Sequence, residues 1–171
     1  AYANTFLIPS AVQNLNSNGL TVTVGTNNST TSSDVIEIGA YVSATSTLAL
    51  KVKENSTNFA RVASFNSDQS SDRVRILGIN EARGVFTGSK TTSNVHKLIR
   101  NSTILGTGTG SGALPTVPIW IGALNINNTI YGSSSQRIQF TAIHEGLTDA
   151  EVVALHTIID NFETAIGRKT W

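Results

Sequence analysis

Cysteine and methionine are both absent from this 171-residue chain, and only 13% of its residues are charged. Without cysteine there is no disulfide, no thiol nucleophile and no cysteine-ligated zinc, although the compartment is left open. The net charge of +1 comes without any cluster of Lys or Arg, so the electrostatic footprint of a nucleic-acid partner is missing. No apolar run is long enough to cross a bilayer, and membrane insertion is not expected. The first residues are Asn-rich, loop-like sequence with no apolar leader, which points to a fragment or processed part of a longer polypeptide. Ser, Thr, Asn and Gly supply the polarity that Lys and Glu supply elsewhere, the habit of extracellular β-proteins. The length suits one domain spanning residues 1–171 with a sizeable core.

Short alternating segments separated by polar turns fill most of the chain. Residues 1–19 lack a sustained period and read as loop with at most an edge strand. Leu20–Val24 alternates cleanly, as does 34–42, where Ile36, Ile38, Ala40 and Val42 share one face and Glu37, Gly39 and Tyr41 the other. Leu48–Lys53 and Phe59–Ser64, joined across 55–58, form a hairpin. Further strands fall at 74–79 and at 83–88, where glycines mark a bulge or a close approach. Val95–Arg100 and Thr103–Gly106 flank Asn101-Ser102, a two-residue hairpin turn whose Ser is a poorer choice than Gly. Val117–Asn125 is a continuous apolar strand, 126–136 a polar loop, and Arg137–Glu145 the last strand.

The period then changes from two to about 3.6. Thr148 and Glu151 fit a capping box with Leu147 as the staple, opening a helix over about 148–166. Val152, Leu155, Ile159, Phe162 and Ile166 form its apolar stripe, and Gly167 supplies a left-handed terminus. Many short strands at turn-marked intervals argue an all-β sandwich or jelly roll.

Three passages, Ile119–Asn125, Phe140–Glu151 and Phe162–Arg168, together resemble the concanavalin A-like (LamG-like) jelly-roll domains of bacteriophage tail-fibre or receptor-binding proteins and of bacterial surface proteins. The resemblance covers about the last 90 residues well and the first part loosely. Asn101-Ser102 stands where those domains usually have Asn-Gly, and His144-Glu145 where they have Gly-Asp. The resemblance implies a concanavalin A-like jelly-roll sandwich of antiparallel strands with one C-terminal helix. That superfamily holds lectins, glycan-cleaving enzymes and structural modules, so it leaves the activity open.

Glycan cleavage needs two carboxylates on one side of a strand, hence an even spacing. The pair Asp34 and Glu37 has an odd one, and no Glu-x-Asp-x-Glu run occurs. No metal site is expected: His144-Glu145 does not continue to a zinc motif. Asn66, Asp68, Ser70 and Asp72 alternate like the first half of a calcium loop, but Ser71 replaces the Gly and Leu77 the bidentate Glu. His96, His144 and His156 read as structural or solvated. Asn-x-Ser/Thr sequons at Asn27, Asn28, Asn55, Asn101 and Asn127 follow from composition.

For binding, Trp120 is either a sugar-stacking platform or a core anchor beneath the helix, and the continuous apolar run favours the core. Tyr131 is the more exposed aromatic. Arg137, Gln139 and Thr141 fall on one face of the last strand, opposite Ile138, Phe140 and Ala142. The candidate ligand-binding set is Arg83, Asn125, Tyr131, Arg137, Gln139 and Trp120, with no catalytic residue and no cofactor beyond a weak calcium candidate at Asn66, Asp68 and Asp72. The expected function is a non-catalytic module of a virion fibre or a secreted surface protein that recognises a glycan or cell-envelope receptor. A homo-oligomeric assembly domain of a phage particle is the alternative, and a glycan hydrolase or lyase a third reading. Each places the protein outside the cell or on a virion surface.

Overall fold

The computed structural model describes residues 1–28, 36–54, 59–69, 71–77, 81–110 and 112–171, with backbone only at 53, 54 and 59–64. Asp34 of the acidic pair, the 55–58 connection with its Asn55 sequon, Ser70 of the calcium-like run and the end of the 74–79 strand lie outside the described residues.

Two sheets stack on one another. The larger contains β1 (Ala3–Asn4), β3 (Ile38–Ser43), β4 (Ser46–Glu54), β5 (Phe59–Phe65), β6 (Arg75–Ile76) and β10 (Trp120–Ile121) in the order β1-β10-β3-β4-β5-β6. A hairpin of β11 (Leu124–Ile126) and β12 (Thr129–Tyr131) joins it through β3. The smaller sheet contains β2 (Asn18–Val24), β7 (Gly84–Lys90), β8 (His96–Arg100), β9 (Thr103–Gly108) and β13 (Ile138–His144), in the order β13-β2-β7-β8-β9. A short helix, α1 (Pro9–Val12), precedes β2, and α2 (Asp149–Ala165) closes the chain. Mostly β, in two sheets with one C-terminal helix, this is the expected sandwich.

Alternation decides which side chains meet between the sheets. Leu20, Val22, Val24, Phe86 and Leu98 come from the smaller sheet and Ile38, Ala40, Leu48, Leu50, Val52 and Phe65 from the larger, all buried in one cluster. Each of the larger side chains among them contributes about 1.5–3 kcal/mol of apolar burial. Gly88 marks a close approach: a Cβ there would lie 2.3 Å from the Phe65 ring. Asn101 and Ser102 both adopt positive φ, 45° and 66°, so the two-residue turn forms without a glycine.

Four expectations need correction. Val117–Asn125 is not one strand, because Gly122 at φ +82° breaks it into β10 and β11. The polar loop after Asn125 contains a second two-residue hairpin, with Asn127 and Asn128 at φ 49° and 67°. In β13 the register with β2 shifts between Ile138 and Phe140, so Thr141 pairs with core-facing Val22, and Ala142 with Thr21. That bulge splits the expected row of Arg137, Gln139 and Thr141. The helix also presents a rotated face: Val152, His156, Ile159 and Glu163 are buried, whereas Phe162 and Ile166 are about half exposed.

α2 lies on the outer side of the smaller sheet. Its capping box forms as expected, with Thr148 and Glu151 bonding reciprocally. At the other end Arg168 N donates to Glu163 O and Gly167 N to Thr164 O, with Gly167 at φ +68°, a Schellman closure. The rotated face is polar because polar groups await it below. Thr21 and Thr87 point out of β2 and β7, and the imidazole of His156 reaches Thr87 Oγ1 at 2.8 Å. Buried Glu163 is paired by the Arg168 guanidinium at 2.8 Å.

Candidate functional site

The outer side of the larger sheet carries an aromatic pair at its β1 edge. β1 pairs with β10 so that Asn4 opposes Trp120, and Trp120 in turn opposes Gly39 of β3. The indole thus lies away from the core, on the sheet opposite to α2 and not beneath the helix. The ring of Tyr2 stacks on it at 4.7 Å with an interplanar angle of 28°. Trp120 is left 7% exposed and Tyr2 49% exposed, so the ring offered to solvent is the tyrosine. At the same edge, toward the space between the sheets, opens a cleft of about 330 Å³ lined by Tyr2, Ile121, Gly122, Ser134, Gln136 and Ile138, of which Ile121 and Ile138 pack against the shared core. Apolar side chains and one exposed ring suit the apolar face of a small ring-shaped ligand.

Behind Ser134 sits a buried carboxylate. Glu37 is fully buried; Val52 N donates to its Oε2 at 2.6 Å and Ser134 Oγ to its Oε1 at 3.0 Å. Burial raises its pKa to about 7 against the hydrogen bonds that favour the charged form. The carboxylate ends the edge of β4 in place of a strand carbonyl and does not reach solvent, so it is not placed to act on a bound molecule. Gln136 is likewise spent: its Oε1 accepts from Thr26 Oγ1 and Asn28 N, and its Nε2 donates to Asn28 O.

The residues singled out from sequence do not converge on one place. Trp120 backs the Tyr2 ring. Asn125 is fully buried, its Nδ2 donating to Pro118 O and its Oδ1 accepting from Asn128 N, which is the bond that shapes the 127–128 turn. Tyr131, 44% exposed, ends β12. Arg137 and Gln139 do meet, both against Gly25, where a Cβ would lie within 3 Å of each side chain. Gln139 Nε2 is bound to Arg168 O at 2.7 Å, tying the strand to the end of α2. Arg83 holds Glu81 through two bonds of 2.9 and 2.6 Å, before β7 on the other sheet. That pairing pulls Glu81 down to about 2.

The calcium-like run is committed internally. Asp68 binds Arg73 at 3.3 Å, Asp72 accepts from Ser67 and Ser71, and Asn66 is buried with its Nδ2 on Leu15 O. Among the described residues no three His, Asp or Glu side chains group as metal ligands. Tyr2 and Ser134 escaped the sequence reading: Tyr2 sits in a stretch without period, and only the β1–β10 pairing carries it to Trp120.

A second cleft, of about 360 Å³, lies between α2 and the Asn101–Ser102 turn, with half-buried Trp171 at its rim. Its Asp160 and Lys169 neutralise one another at 2.7 Å.

Solved structures share this architecture at low identity. The CBM40 module of the Ruminococcus gnavus IT-sialidase matches with a TM-score of 0.60 at 15% identity, over 91% of this chain and 92% of that one. The fold is CBM40-like. The same module bound to α2,3-sialyllactose gives 0.60 at 14% identity over the same shares, 91% and 92%. Domain 4 of AbnA, a GH43 extracellular arabinanase from Geobacillus stearothermophilus solved with arabinotriose, gives 0.55 at 16% identity, over 91% of this chain and 80% of that one. The NanB sialidase from Streptococcus pneumoniae gives 0.58 at 11% identity, and 90% of this chain spans only 27% of that enzyme. No family model matches the sequence, and no curated protein does. At such identities the likeness establishes the CBM40-like sandwich and nothing finer.

Proposed function

We propose that this chain is a non-catalytic carbohydrate-binding module, a single unit of a larger extracellular protein, and that the Tyr2 cleft receives a sugar. The observation that carries the reading is the end-to-end likeness to the CBM40 module, which binds a sialylated sugar, combined with an exposed ring near an apolar cleft. Tyr2 supplies the face on which a pyranose ring stacks, and Trp120 beneath keeps that face fixed. Backing by a second ring lowers the entropy lost when the ligand docks. Two of the carboxylates support the non-catalytic reading: Glu37 is sealed and Glu81 is neutralised by Arg83. The larger protein is a secreted surface protein or a virion fibre.

A glycan array probed with the wild-type chain, Tyr2→Ala and Trp171→Ala tests the reading. Binding lost only in Tyr2→Ala supports it. Binding lost only in Trp171→Ala moves the site to the helix cleft, and no binding by folded wild type sinks the function.

A second reading, a subunit contact in an assembly, is favoured by the outer side of α2. Ile158, Phe162 and Ile166 recur every four residues there at 65%, 50% and 46% exposure. Mass measurement by light scattering separates the two: a stable oligomer that Phe162→Asp dissolves, without sugar affinity, supports assembly.

A further inference from the structure

Lys90 ends β7 facing into the sandwich, and only 1% of it is exposed. Its ammonium has three hydrogens, yet among the described residues it has one acceptor, the carbonyl of Gly110 at 2.7 Å. Opposite it across the ladder stands His96, fully buried, with neither ring nitrogen bonded among the described residues. The imidazole lies against Phe65, 5.4 Å between centroids, and under Gly108 and Gly110. It brings no compensating negative charge; burial and the Lys90 charge hold it neutral, down to about 4, against a weaker pull from Asp72. Lys90 itself is pulled down by burial alone. A buried cation with one neutral partner is costly, and native folds retain such a group where something completes it.

The residue nonetheless borders an opening in the surface. Lys90 lines a cleft of about 200 Å³ whose other walls are Leu15, Asn16, Ser93, Asn94 and Gly112. Asn16, Ser93 and Asn94 are exposed donors at its mouth, and Leu15 is an apolar wall 44% exposed.

We propose that this cleft is a carboxylate-binding site, with Lys90 as its charged floor and Asn16, Ser93 and Asn94 as the groups that bond the rest of the ligand. One buried positive charge calls for one negative charge. A carboxylate balances it, whereas a sulfate or phosphate dianion would leave a net charge desolvated. The hydroxyl and amides at the mouth match a carboxylate carried on a hydroxylated body, such as an acidic sugar. The inference stands on Lys90 and does not depend on the Tyr2 cleft.

Thermal unfolding of the full chain in sodium acetate, sodium glucuronate and sodium sulfate, against sodium chloride at matched ionic strength, tests it. Both carboxylates are expected to raise Tm above the chloride and sulfate curves. The shift is about 3–6 °C once the ligand stands tenfold above its dissociation constant. Glucuronate acting at lower concentration than acetate identifies an acidic sugar, and equal action identifies the bare carboxylate. Lys90→Met keeps the stem and removes the charge, so its carboxylate shift should vanish. Should Lys90→Met not fold, Ser93→Leu at the exposed mouth is expected to abolish the same shift by filling the cleft. The proposal is overturned by carboxylates that act no more strongly than chloride, or by a shift that persists in either variant.

Discussion

His156 donates from Nε2 to the hydroxyl of Thr87 at 2.8 Å while its Nδ1 accepts from the backbone N–H of Ser102 at 2.8 Å. The Ser102 amide can only donate, so Nδ1 carries no proton and the ring is neutral. Thr87 passes the bond to Thr21 at 2.8 Å, and Thr21 to His144 Nε2 at 3.0 Å. His144 Nδ1 then donates to the carbonyl of Glu145, which can only accept. Both ends of this chain are backbone groups of fixed polarity, so every hydroxyl in it has a defined direction. This histidine–threonine relay between helix and sheet is thus hydrogen-bonded without charge.

Protonating these histidines must weaken the fold. Burial holds His156 and His96 down at about 4 and lowers His144 as well. The contribution of His156 and His96 is complete above the unfolded value of about 6.5 and fades as pH falls toward 4, at about 1.4 kcal/mol per pH unit for each of the two, and that of His144 fades in the same direction. Glu37 acts oppositely: raised from 4.5 to about 7, it favours the fold below 4.5 and loses that contribution as pH rises through 7. Denaturant unfolding across pH 4–8 should therefore show maximal stability at about pH 6–7.

His156→Leu leaves Ser102 N–H and the Thr87 hydroxyl facing an apolar group. A loss of about 1–3 kcal/mol is expected at pH 7. The fall in stability between pH 6.5 and 4 should also become shallower by one proton's worth, which a merely steric defect would not produce.

Glu37→Gln removes the alkaline loss. The amide oxygen can still accept from Val52 N, and the amide nitrogen can donate to Ser134 Oγ. At pH 8 the variant should be at least as stable as wild type, and at pH 5 slightly less so. Urea midpoints at the two pH values test this, and the prediction fails if the variant is weaker at both.

Tyr2→Ala should change stability by only about 1 kcal/mol, the scale of one aromatic pair. Sugar affinity should fall at least tenfold, as measured by calorimetry on whichever ligand an array identifies. Tyr2→Trp should retain binding.

The two ends of α2 are separable. Thr148→Ala removes the capping box at a cost of about 1 kcal/mol. Gly167→Ala meets no atom within 4 Å, so its cost, also about 1 kcal/mol, is purely that of the left-handed backbone. The double variant should sum the two within about 0.5 kcal/mol, because the sites are far apart.

The helix and both its caps were legible because Thr148, Glu151 and Gly167 act on their immediate neighbours. Hydropathy places the stripe one step off its true face because it ranks Phe162 above His156, whereas the sheet beneath offers threonine hydroxyls. The Asn101-Ser102 turn could be read, but the Asn127-Asn128 turn could not: there the deciding bond comes from Asn125, outside the turn. The cleft was the least accessible to sequence. Trp120 stood out by its neighbours, yet the ring that covers it comes from Tyr2, 118 positions away and joined only through strand pairing.

The Asn101–Ser102 turn also bears on chemical ageing. An asparagine followed by a small residue deamidates when the next backbone nitrogen attacks its side-chain carbonyl. In the fold, that nitrogen is occupied by His156, and the Asn101 side-chain oxygen is held by the Val85 N–H at 2.9 Å. The amide should therefore survive as long as the layer beneath α2 stays closed. Each opening long enough to free both groups would be recorded as an aspartate at position 101, a permanent trace of a transient event.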